Sequence, residues 1–235
     1  MNNSIDFKVW GRYALFTDPI TKIGGEKCSY HIPTYEAIKG ITRSIYWKPT
    51  FIWVIDKVRV MKRIRTETKG MKPLNYAEGG NSLALYNYLA GVEYQVRAHF
   101  EWNEHTPELM KDRNDGKHYT IAKRMLERGG RRDIFLGTRE CQGYAEPCCF
   151  GEGKGELDGD GELNFSLMFH SFLYPEESGI NELRSFFWKP CMENGVIEFP
   201  RQEKCVISKF VREMIPKKFV PGINFSGIEE EGLFA

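Results

Sequence analysis

Two apolar periodicities alternate through the first 140 residues, and their order constrains the fold more than any figure of composition. Ile5, Phe7 and Val9 alternate within Ile5 to Leu15, as a half-buried strand requires. Pro33-Thr34 then opens a helix, with Tyr35, Ala37, Ile38, Ile41 and Ile45 at helical spacing and Pro49 ending it. Phe51 to Met61 is rich in β-branched and aromatic residues and reads as a strand. Ala84 to Trp102 holds another, strongest from Val92 to Phe100. Lys117 to Arg128 reads as a helix, because Ile121 and Met125 are four apart, as are Ala122 and Leu126. Gly129-Gly130 stops it, and Asp133 to Leu136 starts the next strand. The order is β-α-β-β-α-β, the ferredoxin-like or split βαβ arrangement.

The second half differs. Phe150 to Gly161 is rich in glycine and acid, Leu163 to Tyr174 is an apolar strand run, and Phe186-Phe187-Trp188 and Val196 to Phe199 read as short strands. Lys204 to Met214 fits a strand or a short helix, and the tail from Gly222 to Ala235 reads as poorly fixed. The chain has 235 residues, room for one large domain or two small ones, and its 41% hydrophobic content supports a real core. The expectation is an α+β protein: a ferredoxin-like (RRM-like) domain over residues 1–140, then a smaller β-rich subdomain over residues 141–235. RNA-recognition modules share the first topology, although a fold alone does not give a function.

Net charge is +1, from 33 basic and 32 acidic residues, which argues against a simple polybasic nucleic-acid binder but leaves room for a local basic face. No apolar stretch follows Met1-Asn2-Asn3-Ser4 and no run of about 18 apolar residues occurs, so neither a signal peptide nor a membrane span is expected. None of the six cysteines forms a C-x-x-C pair, so they read as reduced cytosolic thiols rather than a zinc site. The glycine loop fails as a P-loop, since Gly153-Lys154 is followed by Gly155. Asp158 to Glu162 is only a fragment of a calcium loop, and an exposed hairpin is the better reading. His31, His99, His105 and His170 lack metal spacing, and His99 and His170 sit in strand patterns that suit structural roles. No metal or cofactor is expected.

Two clusters carry possible chemistry: Lys117-His118-Tyr119 at the head of one helix and Tyr46-Trp47-Lys48 at the tail of another. RNA supplies its own nucleophile, the 2′-hydroxyl, so cleavage needs only a base, an acid and a cation for the phosphorane. Tyr, His and Lys suit those tasks. The competing reading is a solvated Lys-His pair at a helix start. In a β-α-β-β-α-β fold the first helix ends where the second begins, so Tyr46 and His118 should share one end of the sheet. A separation beyond about 15 Å would end the idea of a shared site. Trp47, Tyr46 and Tyr119 could stack on bases. Three basic groups could track phosphates: Lys57, Arg59, Lys62, Arg63 and Arg65; Lys123, Arg124, Arg128, Arg131 and Arg132; and Lys204, Lys209, Arg212, Lys217 and Lys218.

At these residues the chain resembles the CRISPR-associated repeat-processing endoribonucleases of type I-C systems, the subtype-d branch of the Cas five family within the RAMP superfamily. The resemblance is carried by Phe7-Lys8-Val9-Trp10-Gly11, by Pro33 to Gly40, by Ser44 to Pro49, by Gly116-Lys117-His118, and by Arg139-Glu140-Cys141 and Leu173-Tyr174. It implies metal-independent cleavage of precursor CRISPR RNA within each repeat, 3′ of the hairpin. It also implies retention on the 5′ handle in a cytoplasmic surveillance complex with the backbone and large subunits. The family's catalytic set maps onto Tyr46, Lys117 and His118. Trp47, Lys48, Tyr119, Lys123, Arg124, Arg131 and Arg132 are the expected RNA-binding residues, contacting the repeat hairpin and its 3′ flank. Three other readings stay open: a non-catalytic subunit that binds the RNA handle, a metal-dependent DNA nuclease supported only by the acidic loop, and a plain structural domain.

Overall fold

The structure is a computed structural model that describes residues 3–23, 25–75, 77 and 79–228. In chain order it contains β1 (Ser4–Ala14), α1 (Pro19–Lys22), β2 (Lys27–Cys28), α2 (Tyr35–Ile45), β3 (Phe51–Val60), β4 (Thr66–Met71), β5 (Ala84–Trp102), a 3-10 turn (Pro107–Asp112) and α3 (Asp115–Glu127). There follow β6 (Ile134–Phe135), β7 (Gln142–Pro147), β8 (Glu162–Asn164), β9 (Met168–Leu173), α4 (Pro175–Ser178), β10 (Glu182–Trp188), β11 (Cys191–Glu193), β12 (Val196–Glu198), a second 3-10 turn (Gln202–Lys204) and β13 (Ile207–Glu213). The protein is a sheet-rich α+β structure with few helices.

Among the described residues, strands assemble into two sheets. The larger runs β6-β7-β1-β5-β3-β12-β11-β8, with β2 and β4 also pairing onto β5; the smaller runs β13-β10-β9. The long strand β5 lies at the centre. Its C-terminal part pairs antiparallel with both β1 (Phe7↔Val96) and β3 (Val58↔Val96), and its N-terminal part carries β4 (Thr68↔Asn87). The inward residues of β1 are Ile5, Phe7 and Val9, all buried as their alternation predicts. β7 lies beyond residue 140 yet pairs with β1, and β12 extends the same sheet from β3, so strands from both halves of the chain share it.

Helix α2 begins where Thr34 Oγ1 accepts the N–H of Ala37 at 3.1 Å, and it turns Ile38, Ile41 and Ile45 into the core. Helix α3 starts two residues earlier than its apolar spacing suggests, because Asn114 is the cap: its Oδ1 accepts the N–H of Lys117 at 3.1 Å. Ala122 and Leu126 are buried, while Ile121 and Met125 pack partly buried against the core. The helix closes through the N–H of Gly130 on Met125 O (2.8 Å) and that of Gly129 on Leu126 O (2.9 Å), with both glycines at positive φ. The chain then turns back onto α2. The N–H groups of Arg131 and Arg132 donate to Ser44 O at 3.1 and 3.0 Å, satisfying a carbonyl that the end of α2 leaves open. This contact draws the end of α2 and the exit of α3 together.

Three expectations need correction. The Leu163 to Tyr174 run is broken: β8 ends at Asn164, the N–H of Phe165 donates to Pro190 O, and β9 begins at Met168. The acid-rich stretch is no hairpin but a string of turns, held by the buried Leu157 and by Arg59, whose guanidinium donates to both carboxylate oxygens of Asp158 at 2.8 Å. The start of the tail is docked: Phe225 and Ile228 are buried, and residues 229–235 lie outside the described part. Lys204 to Met214 resolves to a strand, β13. Among the described residues, no helix is long and apolar enough to cross a membrane.

Candidate active site and nucleic-acid interface

Tyr46 is the first residue past α2, in extended backbone, and its carbonyl accepts from Trp53 Nε1 at 2.7 Å. His118 sits in the first turn of α3, facing inward. The two side chains meet: Tyr46 Oη lies 2.9 Å from His118 Nδ1. The two residues therefore stand in direct hydrogen-bond contact at one end of the sheet. On the other side of the ring, His118 Nε2 lies 2.8 Å from the backbone oxygen of Asp112. A carbonyl can only accept, so Nε2 carries the proton in the neutral imidazole, Nδ1 is the bare nitrogen, and Tyr46 donates to it. Phe51, Trp102 and Phe100 surround the imidazole at centroid distances of 5.1, 5.6 and 6.3 Å. Both Tyr46 and His118 are 0% exposed.

Lys117 is exposed at the surface beside this buried pair. Successive residues on a helix point about 100° apart, so Lys117 and His118 leave α3 in different directions. The N–H of Lys117 is taken by the Asn114 cap, so this donor of the helix start is not open to a phosphate.

The expected RNA-binding residues divide between two clefts. Trp47, Lys48, Arg131 and Arg132 line one of about 520 Å³, together with Arg43 and the docked tail residues Phe219, Phe225 and Ser226. The Arg43 guanidinium lies over the Trp47 ring at 4.5 Å, and Phe219 meets Trp47 edge-on at 6.0 Å. Lys48 is largely buried here, with Nζ donating to Ser226 O at 2.6 Å. Tyr119 and Lys123 line a second cleft of about 720 Å³ with Asp6, Arg97, Cys148 and Cys149, and Lys123 Nζ lies 5.6 Å from the Tyr119 ring centroid. Arg124 is half-buried and lines neither. The sequence reading missed Arg43, although its place four residues before Trp47 was a readable helical pairing. It also missed Asp112, for which no local signal exists.

The other charged features are occupied. Arg59, Arg63 and Lys62 pair with Asp158, Asp160 and Glu156, so this part of the first basic group and the acidic loop neutralise one another. The Arg59 hydrogen bond holds Asp158 below the usual carboxylate range. His99 hydrogen-bonds Asp56 at 2.9 Å, which raises its imidazole. His170 is 0% exposed and stacks on Tyr35 at 4.5 Å, and burial pulls its imidazole down to about 4.

The family model Cas_Cas5d, described as "CRISPR-associated protein (Cas_Cas5)", matches residues 4–200. A relative from Thermus thermophilus, named CRISPR pre-crRNA endoribonuclease Cas5d, is 30% identical over 188 residues, covering 75% of this chain and 76% of its own length. A protein of the same name from Mannheimia succiniciproducens is 47% identical over 68 residues, 29% of each chain. A crystal structure described as a CRISPR-associated protein superposes with TM-score 0.74 at 35% identity, covering 88% of this chain and 96% of that one. A functionally uncharacterized protein from Streptococcus mutans gives the same TM-score of 0.74 at 39% identity, with the same 88% and 96% coverage. With the family match spanning most of the chain, the protein belongs to the Cas5d family of CRISPR-associated proteins.

Proposed function

We propose that this protein is a metal-independent endoribonuclease that cleaves precursor CRISPR RNA within each repeat, 3′ of the hairpin. The observation that carries the reading is the Tyr46–His118 hydrogen bond of 2.9 Å, formed between residues 72 apart in sequence and flanked by Lys117 and a basic, aromatic cleft. In this reading the 2′-hydroxyl beside the scissile phosphate attacks in line. Its proton passes to the Tyr46–His118 pair, the 2′-oxygen–phosphorus bond forms, and the bond to the 5′-oxygen breaks. The pair returns a proton to that oxygen, leaving a 2′,3′-cyclic phosphate and a 5′-hydroxyl. Proton transfer of this kind suits a histidine near neutral pH, and Lys117 stabilises the phosphorane charge.

The Trp47 cleft is the preferred path for RNA, since Arg43, Arg131 and Arg132 offer charge and Trp47 a stacking face. Tyr119 and Lys123 belong to a second, outlying contact, with Arg124 outside both clefts. The strand order β7-β1-β5-β3, with α2 and α3 as the intervening helices, supports an RRM-like core of the ferredoxin type. A division near residue 140 then makes β9, β10 and β13 the body of the second part, with β7 reaching back across it to complete the core. After cleavage the protein stays on the 5′ handle, in the cytoplasm, within a complex containing the backbone and large subunits.

The complete burial of Tyr46 and His118 favours a second reading, a subunit that binds the RNA handle without cutting it. Three carboxylates of the acidic loop, sole sequence support for a DNA nuclease, are paired: Asp158 with Arg59, Glu156 with Lys62 and Asp160 with Arg63. One assay separates the first two readings: cleavage of a hairpin repeat RNA in excess EDTA, wild type beside His118→Ala. Cutting at one site by wild type, lost in the variant, supports the nuclease; tight binding without cutting supports the handle-binding subunit.

A further inference from the structure

Asp112 closes the 3-10 turn that leads into α3 and is 7% exposed. Two of its groups face the same imidazole nitrogen. Its backbone oxygen accepts from His118 Nε2 at 2.8 Å, and its carboxylate Oδ2 lies 3.6 Å from that nitrogen. The carboxylate is itself held on both sides: Thr50 Oγ1 donates to Oδ2 at 2.6 Å, and the N–H of Ile228 donates to Oδ1. Around the imidazole, the end of α2 contributes Tyr46 and the 3-10 turn contributes Asp112, while β3 and β5 present the rings of Phe51, Phe100 and Trp102. An aromatic enclosure disfavours a charged imidazole, and a carboxylate at this distance favours it.

We propose that Asp112 is a positioning residue for His118. Its backbone oxygen fixes the tautomer that leaves Nδ1 bare towards Tyr46, and its carboxylate balances the positive charge that His118 gains while it holds the proton of the 2′-hydroxyl. The neutral imidazole spends its one N–H on the backbone oxygen, so the carboxylate matters chiefly once the ring is charged. Serine hydrolases use an acid behind a histidine by the same logic, to set the tautomer and to stabilise the imidazolium. The inference rests on the proposed roles of Tyr46 and His118.

The test uses the full chain and a hairpin repeat RNA in excess EDTA, with single-turnover rates from about pH 5 to about pH 9, the range that brackets histidine titration. Asp112→Asn keeps the shape and removes the charge. The expected result is a loss of about tenfold or more near neutral pH, with the acidic limb of the profile moved to lower pH by about one unit or more, because the charged imidazole has lost its counter-ion. Affinity for a 2′-deoxy, uncleavable hairpin stays unchanged. A rate within about twofold of wild type overturns the inference, as does an equal loss at every pH with the limb in place, which marks a residue that only anchors the turn. If His118→Ala cuts like wild type, the reading of the pair itself fails; if only Asp112→Asn does, the pair stands and Asp112 falls. Should Asp112→Asn not fold, nitrogen NMR of the wild-type imidazole decides, with the His118 signals identified by their loss in His118→Ala. A proton on Nε2 in the neutral ring agrees with the inference; a proton on Nδ1 overturns it.

Discussion

Tyr46→Phe separates what the Tyr46–His118 contact does for folding from what it does for chemistry. The change deletes one oxygen at a site of 0% exposure and leaves the ring against Phe51 (5.7 Å) and His118 (6.0 Å), so packing is nearly conserved. It removes a 2.9 Å hydrogen bond to His118 Nδ1 inside an aromatic enclosure. A net hydrogen bond is worth about 1 kcal/mol, and a buried group left unsatisfied costs about 1–3 kcal/mol, so the expected loss of stability is about 1–3 kcal/mol. Against a typical total of about 5–15 kcal/mol, the variant stays folded in the assay. The activity effect is larger. Losing a proton-handling group slows the chemical step about 10²- to 10⁴-fold, which is about 3–5 kcal/mol of barrier. Incomplete folding therefore cannot imitate the loss of cleavage. The assay is urea denaturation alongside single-turnover cleavage and equilibrium binding of a 2′-deoxy hairpin. Cleavage within about threefold of wild type, at unchanged affinity, would refute a role for Tyr46 in proton transfer.

Three further outcomes follow from other parts of the molecule. His170 has a folded value of about 4 against 6.5 when free, so as pH falls the unfolded chain takes up the proton first; stability is untouched above about 6.5 and drains by about 1.4 kcal/mol per unit below it, or about 2 kcal/mol from pH 7.5 to pH 5. His99, raised by Asp56, works in the opposite direction, so the diagnostic is wild type minus His170→Phe in urea at each pH, and a flat difference would contradict the burial argument. Arg59→Met removes the donors to Asp158, Gln95, Glu152 and Gly153, and should cost about 2–4 kcal/mol and open residues 151–161 to limited proteolysis; unchanged protection would show that Leu157 alone holds the loop. If RNA follows the Trp47 cleft, Arg132→Ala weakens binding and flattens the slope of log K against log salt by about 0.7–0.9, while Lys123→Ala changes little; the reverse pattern would move the RNA to the Tyr119 side.

What could be read in the sequence follows from where each signal resides. The strands β1, β3 and β5 and the helices α2 and α3 announce themselves because each must bury an apolar stripe, and such a stripe is a local pattern. β4, Thr-Glu-Thr-Lys-Gly-Met, has no such stripe: five of its six residues are exposed, and it is a strand because β5 is long enough to offer its N-terminal part a partner. β7 was hidden for a related reason, since Gln-Gly-Tyr-Ala-Glu-Pro buries only Gly143 and Ala145 and is recruited by β1. Tyr46 and His118 could be brought to one end of the sheet by topology alone, because the end of one helix and the start of the other are fixed by their caps. Their enclosure could not. It depends on rings from β3 and β5, and Asp112 beside them is tied to Thr50 and to Ile228, 62 and 116 residues away. Residue types could thus suggest which atoms are fit for proton transfer, but only the fold reveals that the pair lies sealed behind aromatic walls. That burial sharpens the chemical question, because a buried Tyr–His pair must gain access to the 2′-hydroxyl before it can act. It makes cleavage by wild type, rather than affinity for RNA, the deciding observation.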